Sequence, residues 1–552
     1  MHTPPDFPYP TSVSTDAPPA ADPSPASPGR WLALLLGLLA LHAVLWTVLP
    51  VVCYDSAPLD VGEMLYWGQQ RPMGTYKHPP LPAWAADLAF TGAGGLWGVY
   101  LLSQLATVAA VLATYGLART MLPRRESFFA ALATLTLYLV TYTSPEFNNN
   151  VALLFFWTVA ITLVRRGLKA GAVAGLGWWI AAAGALAGAG LSKYAAVFLA
   201  GSLALYMLCT REGRRALRTP GPWLCAGLSI ALTAPHLRWM QETGWVGLEY
   251  ARTRADRAPF QDVLSLLNFV LVIAATMIPA ALCLWPLRQP PLHRRELARA
   301  IHEATPEGPS PDDRRYLFFV AIVPILLHIA VGIVMGVGLR AAWATCLLMP
   351  LPLWLLSRTR TRPAGGERFS LAAIGAVLAI FAGVFAVMAL RTPRWPDRSP
   401  RIAFPMDQLA EHIGRRWTTF IRSGQPPALI GDAWLAAGAA IHMPTRPPVS
   451  AAYERLFEEP PPDPSDPLSE PRTDPRIDPW VRTEDLRVQG GVILWRLDPS
   501  GPTPTFTTND NIIRMFPTAF EVPPIELTYP GSDSAIRVGI AIIPPLSVLK
   551  GG

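Results

Sequence analysis

The residues with the most chemistry to offer lie between two apolar stretches near the start of the chain. LDVGEMLYWGQQ runs from Leu59 to Gln70, and GTYKHPPLPAW follows from Gly74 to Trp84. Helical spacing through the first stretch puts Asp60 and Glu63 one turn apart on a shared face, so that two carboxylates point into one pocket. Carboxylates so placed can carry out proton transfer. The pair Pro79 and Pro80 holds an extended backbone directly after Lys77 and His78 and constrains where those two side chains stand. Trp67, Tyr76 and Trp84 add aromatic surface of the kind an interfacial carbohydrate site uses.

These segments must be positioned by apolar elements, because the 552-residue chain is 51% hydrophobic and only 15% charged, outside the range of soluble proteins. A bilayer is its expected main solvent. Crossing about 30 Å of hydrocarbon takes roughly 20 apolar residues, and about eleven such runs recur between Trp31 and Leu390. The expected spans are 31–53, 95–118, 127–143, 149–164, 170–189, 191–209, 221–237, 263–287, 316–338, 341–357 and 369–390. The first is longer than the apolar core of a cleaved leader and lacks a small-x-small site before the polar segment, so it is expected to be retained.

Basic residues set the orientation, because loops rich in Lys and Arg stay cytoplasmic. Arg119, Arg124 and Arg125, then Arg165, Arg166 and Lys169, then Arg211, Arg214, Arg215 and Arg218 occupy alternate loops. Arg288, Arg294, Arg295 and Arg299, then Arg358, Arg360 and Arg362 continue the series on the same side. With that side cytoplasmic, the N-terminus is inside and everything after Arg391 lies outside, in the periplasm of a bacterium whose inner membrane the chain crosses. The same clusters account for the formal charge of +7, and no nucleic-acid partner is expected. The other face gathers Asp55, Asp60, Glu63, Lys77, His78, Glu146, Asn148 to Asn150, Lys193, His236, Arg238, Glu242, Arg254, Arg257 and Arg340. Ionisable groups at a membrane face are costly unless paired or working.

Four stretches in order carry a resemblance: Asp60 with the aromatic helix ending at Trp67-Gly68 and the G-x-Y-x-H-P-P-L-x-x-W that follows; SPEFNNNVALLFFW from Ser144 to Trp157; LSKYAAVFL from Leu191 to Leu199; and APHLRWMQETGW from Ala234 to Trp245. Over about Pro58 to Trp245 the chain resembles family 39 glycosyltransferases of the GT-C superfamily, which are related to the aminoarabinose transferases of lipid A and the protein O-mannosyltransferases. The resemblance implies an α-helical polytopic fold of the GT-C type and a sugar donor linked to polyprenyl phosphate. Its acceptor would be a periplasmic lipid, glycan or protein. Such a transfer needs a base for the acceptor hydroxyl and cations for the departing phosphate. Asp60 is then the expected base, Glu63 a supporting acid that raises the pKa of Asp60, and Lys193 the partner of the carrier phosphate. Lys77, Arg254 and Arg257 are further phosphate candidates, with Arg254 and Arg257 read equally as surface charges. His78, Asn150, Tyr76 and Trp84 complete the expected substrate site, although His78 beside two prolines also reads as a structural hydrogen-bonder. Two departures stand out: Val61 follows Asp60 where the family has an acid, and Asn150 replaces an acid before the LLFFW run. The second argues against a tightly bound divalent cation, and no other cofactor is implied.

Residues 1–30 and about 458–480 are Pro-rich and expected to be disordered. Residues 31–390 would form the transmembrane catalytic domain, with residues 54–94 as a long first periplasmic loop. Residues 391–552 would form a small periplasmic α/β domain with helices at Met406–Ile421 and Asp432–Ile441 and strands at Ala428–Ile430, Gly491–Leu497 and Ala535–Ile543. That domain carries no nucleophile elbow, phosphate loop or metal spacing, so acceptor binding, lid duty or a structural cap are its expected roles. The five cysteines are scattered in apolar stretches and read as core packing. A transporter or flippase of a lipid-linked sugar is the competing class, but it calls for repeated helices and midplane charges that the sequence lacks. A scaffold derived from such an enzyme is the third reading.

Overall fold

The computed structural model describes residues 29–253, 259–289, 308–335, 339–359, 361–362, 365–391, 401–422, 424–454, 473–497, 510–531 and 534–550. The Pro-rich N-terminus before Gly29, most of the second Pro-rich segment, and Arg254 and Arg257 lie outside the described residues.

Every expected span has a helical counterpart. The principal helices are α1 (Arg30–Cys53), α2 (Leu59–Gln70), α3 (Leu81–Ala93), α4 (Leu96–Ala118), α5 (Asn149–Ala170), α6 (Leu176–Ser192) and α7 (Ala196–Cys209). They continue with α8 (Pro220–Glu242), α9 (Pro259–Leu284), α10 (Pro311–Ala321), α11 (Val323–Met335) and α12 (Glu367–Arg391). Among the described residues, six helical stretches are long and apolar enough to cross a membrane, and others of the eleven runs are short or broken. The run expected over 127–143 divides into Arg124–Leu132, a 3₁₀ turn Ala133–Thr136 and Tyr138–Thr141. There the hydroxyls of Thr134, Thr136 and Thr141 donate to nearby main-chain carbonyls and compete with a regular ladder. The run over 341–357 is interrupted at Pro350 and Pro352, which lack the amide hydrogen a continuous helix needs.

The first connecting segment is not a loose loop. Most of it forms α2 and α3, which pack so closely that a Cβ at Gly68 would stand 2.1 Å from the carbonyl oxygen of Ala83. Residues Val61 to Gly68 of α2 are all buried. Their partners include α14 (Ala433–His442), preceded in the chain by α13 (Met406–Ile421). One hydrophobic core therefore runs from Val61, Leu65 and Trp67 into Leu409, Leu435 and Ile540, while a second fills the helical bundle around Trp157, Tyr206 and Leu348. The segment expected to belong with the transmembrane domain shares its core with the C-terminal domain.

That domain is an α/β unit built on a five-stranded sheet of order β2-β1-β3-β5-β4, with β1 (Leu429–Gly431), β2 (Val449–Ser450), β3 (Gly491–Leu497), β4 (Phe520–Thr528) and β5 (Ala535–Ile543). The pairs β1–β2 and β1–β3 are parallel, whereas β3–β5 and β5–β4 are antiparallel. β2 and β4 are additional to the expected strands, and β4 contains Pro523-Pro524. The prolines are accommodated because β4 is an edge strand and its register shifts between Val522 and Ile525.

Candidate active site

Asp60 lies in the first turn of α2, where the helix N-terminus favours a negative side chain. Its Oδ2 accepts a hydrogen bond from Asn148 Nδ2 at 3.0 Å. Asn148 also caps α5, its Oδ1 accepting from the amides of Asn150 at 2.8 Å and Val151 at 3.3 Å. The next two asparagines extend the junction: Asn149 Nδ2 donates to the carbonyl of Ser192 at 2.8 Å, and Asn150 Oδ1 accepts from Lys193 Nζ. Three consecutive asparagines thus join the start of α2, the start of α5 and the end of α6. Helix geometry explains the spread, because an N-cap and the two residues after it point in different directions around the helix axis.

Lys193 directly follows α6 with extended backbone, and its Nζ stands 5.7 Å from the Trp343 ring. Among the described residues no carboxylate lies within ion-pair distance of it. His78 is placed beside it. Burial together with the charges of Lys193 and Lys77 pushes the His78 imidazole down to about 3, so the ring is neutral near neutral pH. The turn around it is held by backbone: the His78 amide donates to Thr75 Oγ1 at 3.0 Å and the Thr75 amide to the His78 carbonyl at 2.9 Å. The ring itself makes no hydrogen bond among the described residues, so the structural role considered for it belongs to its main chain.

Glu63 and Lys77 do something other than expected. Lys77 Nζ is 2.5 Å from Glu63 Oε1 and is boxed by the rings of Trp67 at 5.8 Å, Tyr76 at 5.2 Å and Tyr250 at 5.9 Å. Burial works against the ammonium, but the Glu63 carboxylate outweighs it and holds Lys77 above the ordinary lysine range. Lys77 is therefore committed to a protein carboxylate. Tyr76 is buried edge-on between Trp67 and Tyr250, and the Trp84 indole donates to the Pro72 carbonyl at 2.9 Å. Tyr76 thus packs the segment instead of offering an open stacking face, while Trp84 is half-buried.

Glu146, within the SPEFNNN stretch but outside the expected site, is the second acid near Asp60. Burial and the Asp60 charge push its carboxyl up to about 7. It lines a cavity of about 190 Å³. A larger open groove of about 670 Å³ lies on the C-terminal domain, along α13 and the end of α14. None of the expected site residues lines it.

A helical bundle topped by α2 and α3, with Asp60 and Lys193 tied to one run of asparagines and a C-terminal α/β domain packed against α2, is the arrangement that the resemblance to the GT-C superfamily implies. Residues 77–239 match the model of the dolichyl-phosphate-mannose-protein mannosyltransferase family. Lipid A galacturonosyltransferase RgtD of Rhizobium johnstonii is 27% identical over 222 residues, which is 39% of this chain and 44% of that protein, less than half its length. The fold is similar to that of ArnT from Cupriavidus metallidurans solved with undecaprenyl phosphate, with a TM-score of 0.58 at 14% identity, covering 93% of this chain and 98% of that one.

Proposed function

We propose that the protein transfers a glycosyl unit from a polyprenyl-phosphate carrier to an acceptor hydroxyl on the extracytoplasmic side of a bacterial inner membrane. The observation that carries this reading is the junction of Asp60, Asn148, Asn150, His78 and Lys193, which brings a carboxylate within electrostatic reach of a cation that has no ion pair among the described residues. In the reaction the acceptor oxygen attacks the anomeric carbon, the bond from that carbon to phosphate oxygen breaks, and the phosphate leaves with the electron pair. Asp60 takes the hydroxyl proton. Asn148 orients its carboxylate, and Lys193 with the neutral His78 ring meets the phosphate. Phosphate departs readily, so no general acid is required. The bound undecaprenyl phosphate named for the ArnT structure supports a lipid phosphate as the carrier.

The test combines binding and turnover. Lys193→Met should weaken undecaprenyl phosphate binding by about tenfold to a hundredfold, the worth of a charge-assisted hydrogen bond. Asp60→Asn should bind the carrier normally yet lose about 10²- to 10⁴-fold in rate, as removal of a general base does. Mass spectrometry of envelope lipids and glycans from a deletion strain identifies the product to be followed. An Asp60→Asn protein that restores the missing product at the normal rate would overturn the assignment.

A further inference from the structure

The cavity at Glu146 is bounded by Tyr54 at the end of α1, by Tyr138 and Tyr142, and by Phe385 and Met388 of α12. Glu146 is the only charged residue in its lining, and its carboxyl oxygens make no hydrogen bond among the described residues. A second buried polar group lies behind the wall: Tyr100, whose ring stands 6.3 Å from that of Tyr54, has a hydroxyl with no hydrogen-bond partner. Tyr138 stacks on Tyr142 at 4.9 Å and Tyr54 lines the same cavity, so phenol rings wall the acid. An unpartnered carboxyl facing a cavity calls for a polar occupant.

Size and composition narrow that occupant. A volume of about 190 Å³ holds one ring and not a drug-sized molecule. Aromatic walls cover the apolar faces of a sugar ring, and a carboxyl can take its hydroxyls. Position narrows it further, because Asp60 is close enough to influence both Glu146 and Lys193. The base thus has within electrostatic reach both a cation suited to phosphate and an acid whose aromatic cavity is suited to a neutral hydroxylated ring. Tyr138 and Met388 of its lining are exposed, as are Val384, Val387 and Leu390 on α12.

We propose that this cavity is the acceptor subsite, in which Glu146 and the surrounding tyrosines hold the sugar ring whose hydroxyl Asp60 deprotonates, the ring entering from the membrane surface. The assignment rests on the transfer reaction proposed above.

Saturation-transfer NMR on the full chain in lipid nanodiscs, with methyl β-D-glucopyranoside as probe, tests the subsite directly. Ring-proton signals are expected with the wild-type protein, and are expected to fall to background in Glu146→Ala and in Ala389→Trp, which fills the cavity from the opposite wall. Two variants on different elements guard against a single folding defect, and undecaprenyl phosphate binding by each reports that the protein is intact. Absence of signal from the wild type, or signals unchanged in both variants, overturns the subsite. Displacement of the probe by undecaprenyl-phosphoryl-glucose would assign the ring to the donor and overturn the acceptor role. Loss of carrier binding in the wild type, with probe binding at Glu146 intact, would instead sink the transfer reaction and leave a sugar site standing.

Discussion

At the scale of single residues, the site turns on which neighbour each acid meets. Asp60 and Glu63 share a helix face as their spacing requires, yet Asp60 accepts from Asn148 while Glu63 is taken by Lys77. Glu63 is thus expected to hold structure and not to tune the base. Removing one partner of a buried ion pair leaves the other charge unpaired and costs about 3–5 kcal/mol, whereas replacing both with apolar residues is often neutral. Glu63→Gln should accordingly lower the thermal unfolding midpoint sharply, and adding Lys77→Met should recover most of the loss, since three aromatic rings can receive the thioether. If Glu63→Gln is as stable as the wild type but slow in turnover, Glu63 is a tuning acid after all. Part of this was legible beforehand. Asp60, Asn150 and Lys193 are readable as motif positions, and the run Asn148 to Asn150 links them, Asn148 bonding Asp60 and Asn150 bonding Lys193. Glu146 was visible in SPEFNNN, but nothing in linear spacing shows that the turn before α5 brings it to Asp60 across 86 positions of chain.

At the scale of elements, the end of α1, α2 and α3 are tied to the C-terminal domain by a set of polar anchors. The amides of Asp55 and Ser56 donate to the Ile402 carbonyl at 2.8 and 3.0 Å, and Arg446 reaches Asp87 at 2.9 Å while its own carbonyl accepts from Gln69. Deepest is Asp478, which accepts from the Trp67 indole at 3.1 Å and from the Ala451 amide at 2.8 Å. Burial pushes its carboxyl up to about 7, against the two hydrogen bonds that favour the anion. The folded state therefore holds this proton more tightly than the unfolded chain, where an Asp titrates near 4. Its contribution to stability is fully present below about pH 4 and is lost as pH rises through about 7, an effect on the order of a few kcal/mol. Hydrogen exchange at α2 and the segment around Asp478 should accelerate beyond its intrinsic pH dependence over that window, and Asp478→Asn should flatten the change. A wild-type interface with no such acceleration would argue that Asp478 stays ionised throughout. Amphipathic α13 and the alternating strands could be read from sequence, and α13 matches its expected limits. The docking of α2 could not, because its fully buried run Val61 to Gly68 has no polar face to mark it as lying between two units.

At the scale of the whole molecule, the described basic loops meet at one end of the bundle. Arg125 pairs with Glu367 at 2.7 Å and donates to the carbonyl of Arg362, and Arg362 in turn donates to the carbonyl of Arg288 at 2.9 Å. Arg165 pairs with Glu212 and with Asp313, and Lys169 lies 3.0 Å from Asp313 and donates to the Thr120 carbonyl. Loops spaced over some 240 positions of sequence thus touch one another, as they must if alternate connections share a side. Asp60, the asparagine cap of α5 and the end of α6 belong to the other end, with the C-terminal domain. The rule that Lys- and Arg-rich loops stay cytoplasmic then predicts one orientation for the entire assembly, since contacts within each end forbid flipping one loop alone. Alkaline phosphatase, which folds only in an oxidising compartment, should be active when fused after Lys550 and inactive when fused in the loop at Arg214. A cytoplasmic reporter should show the reverse pattern at both positions. An inactive phosphatase after Lys550 together with an active cytoplasmic reporter there would turn the molecule over, placing Asp60 and Lys193 on the cytoplasmic face and requiring the donor to be used where it is made instead of after its sugar has crossed the membrane.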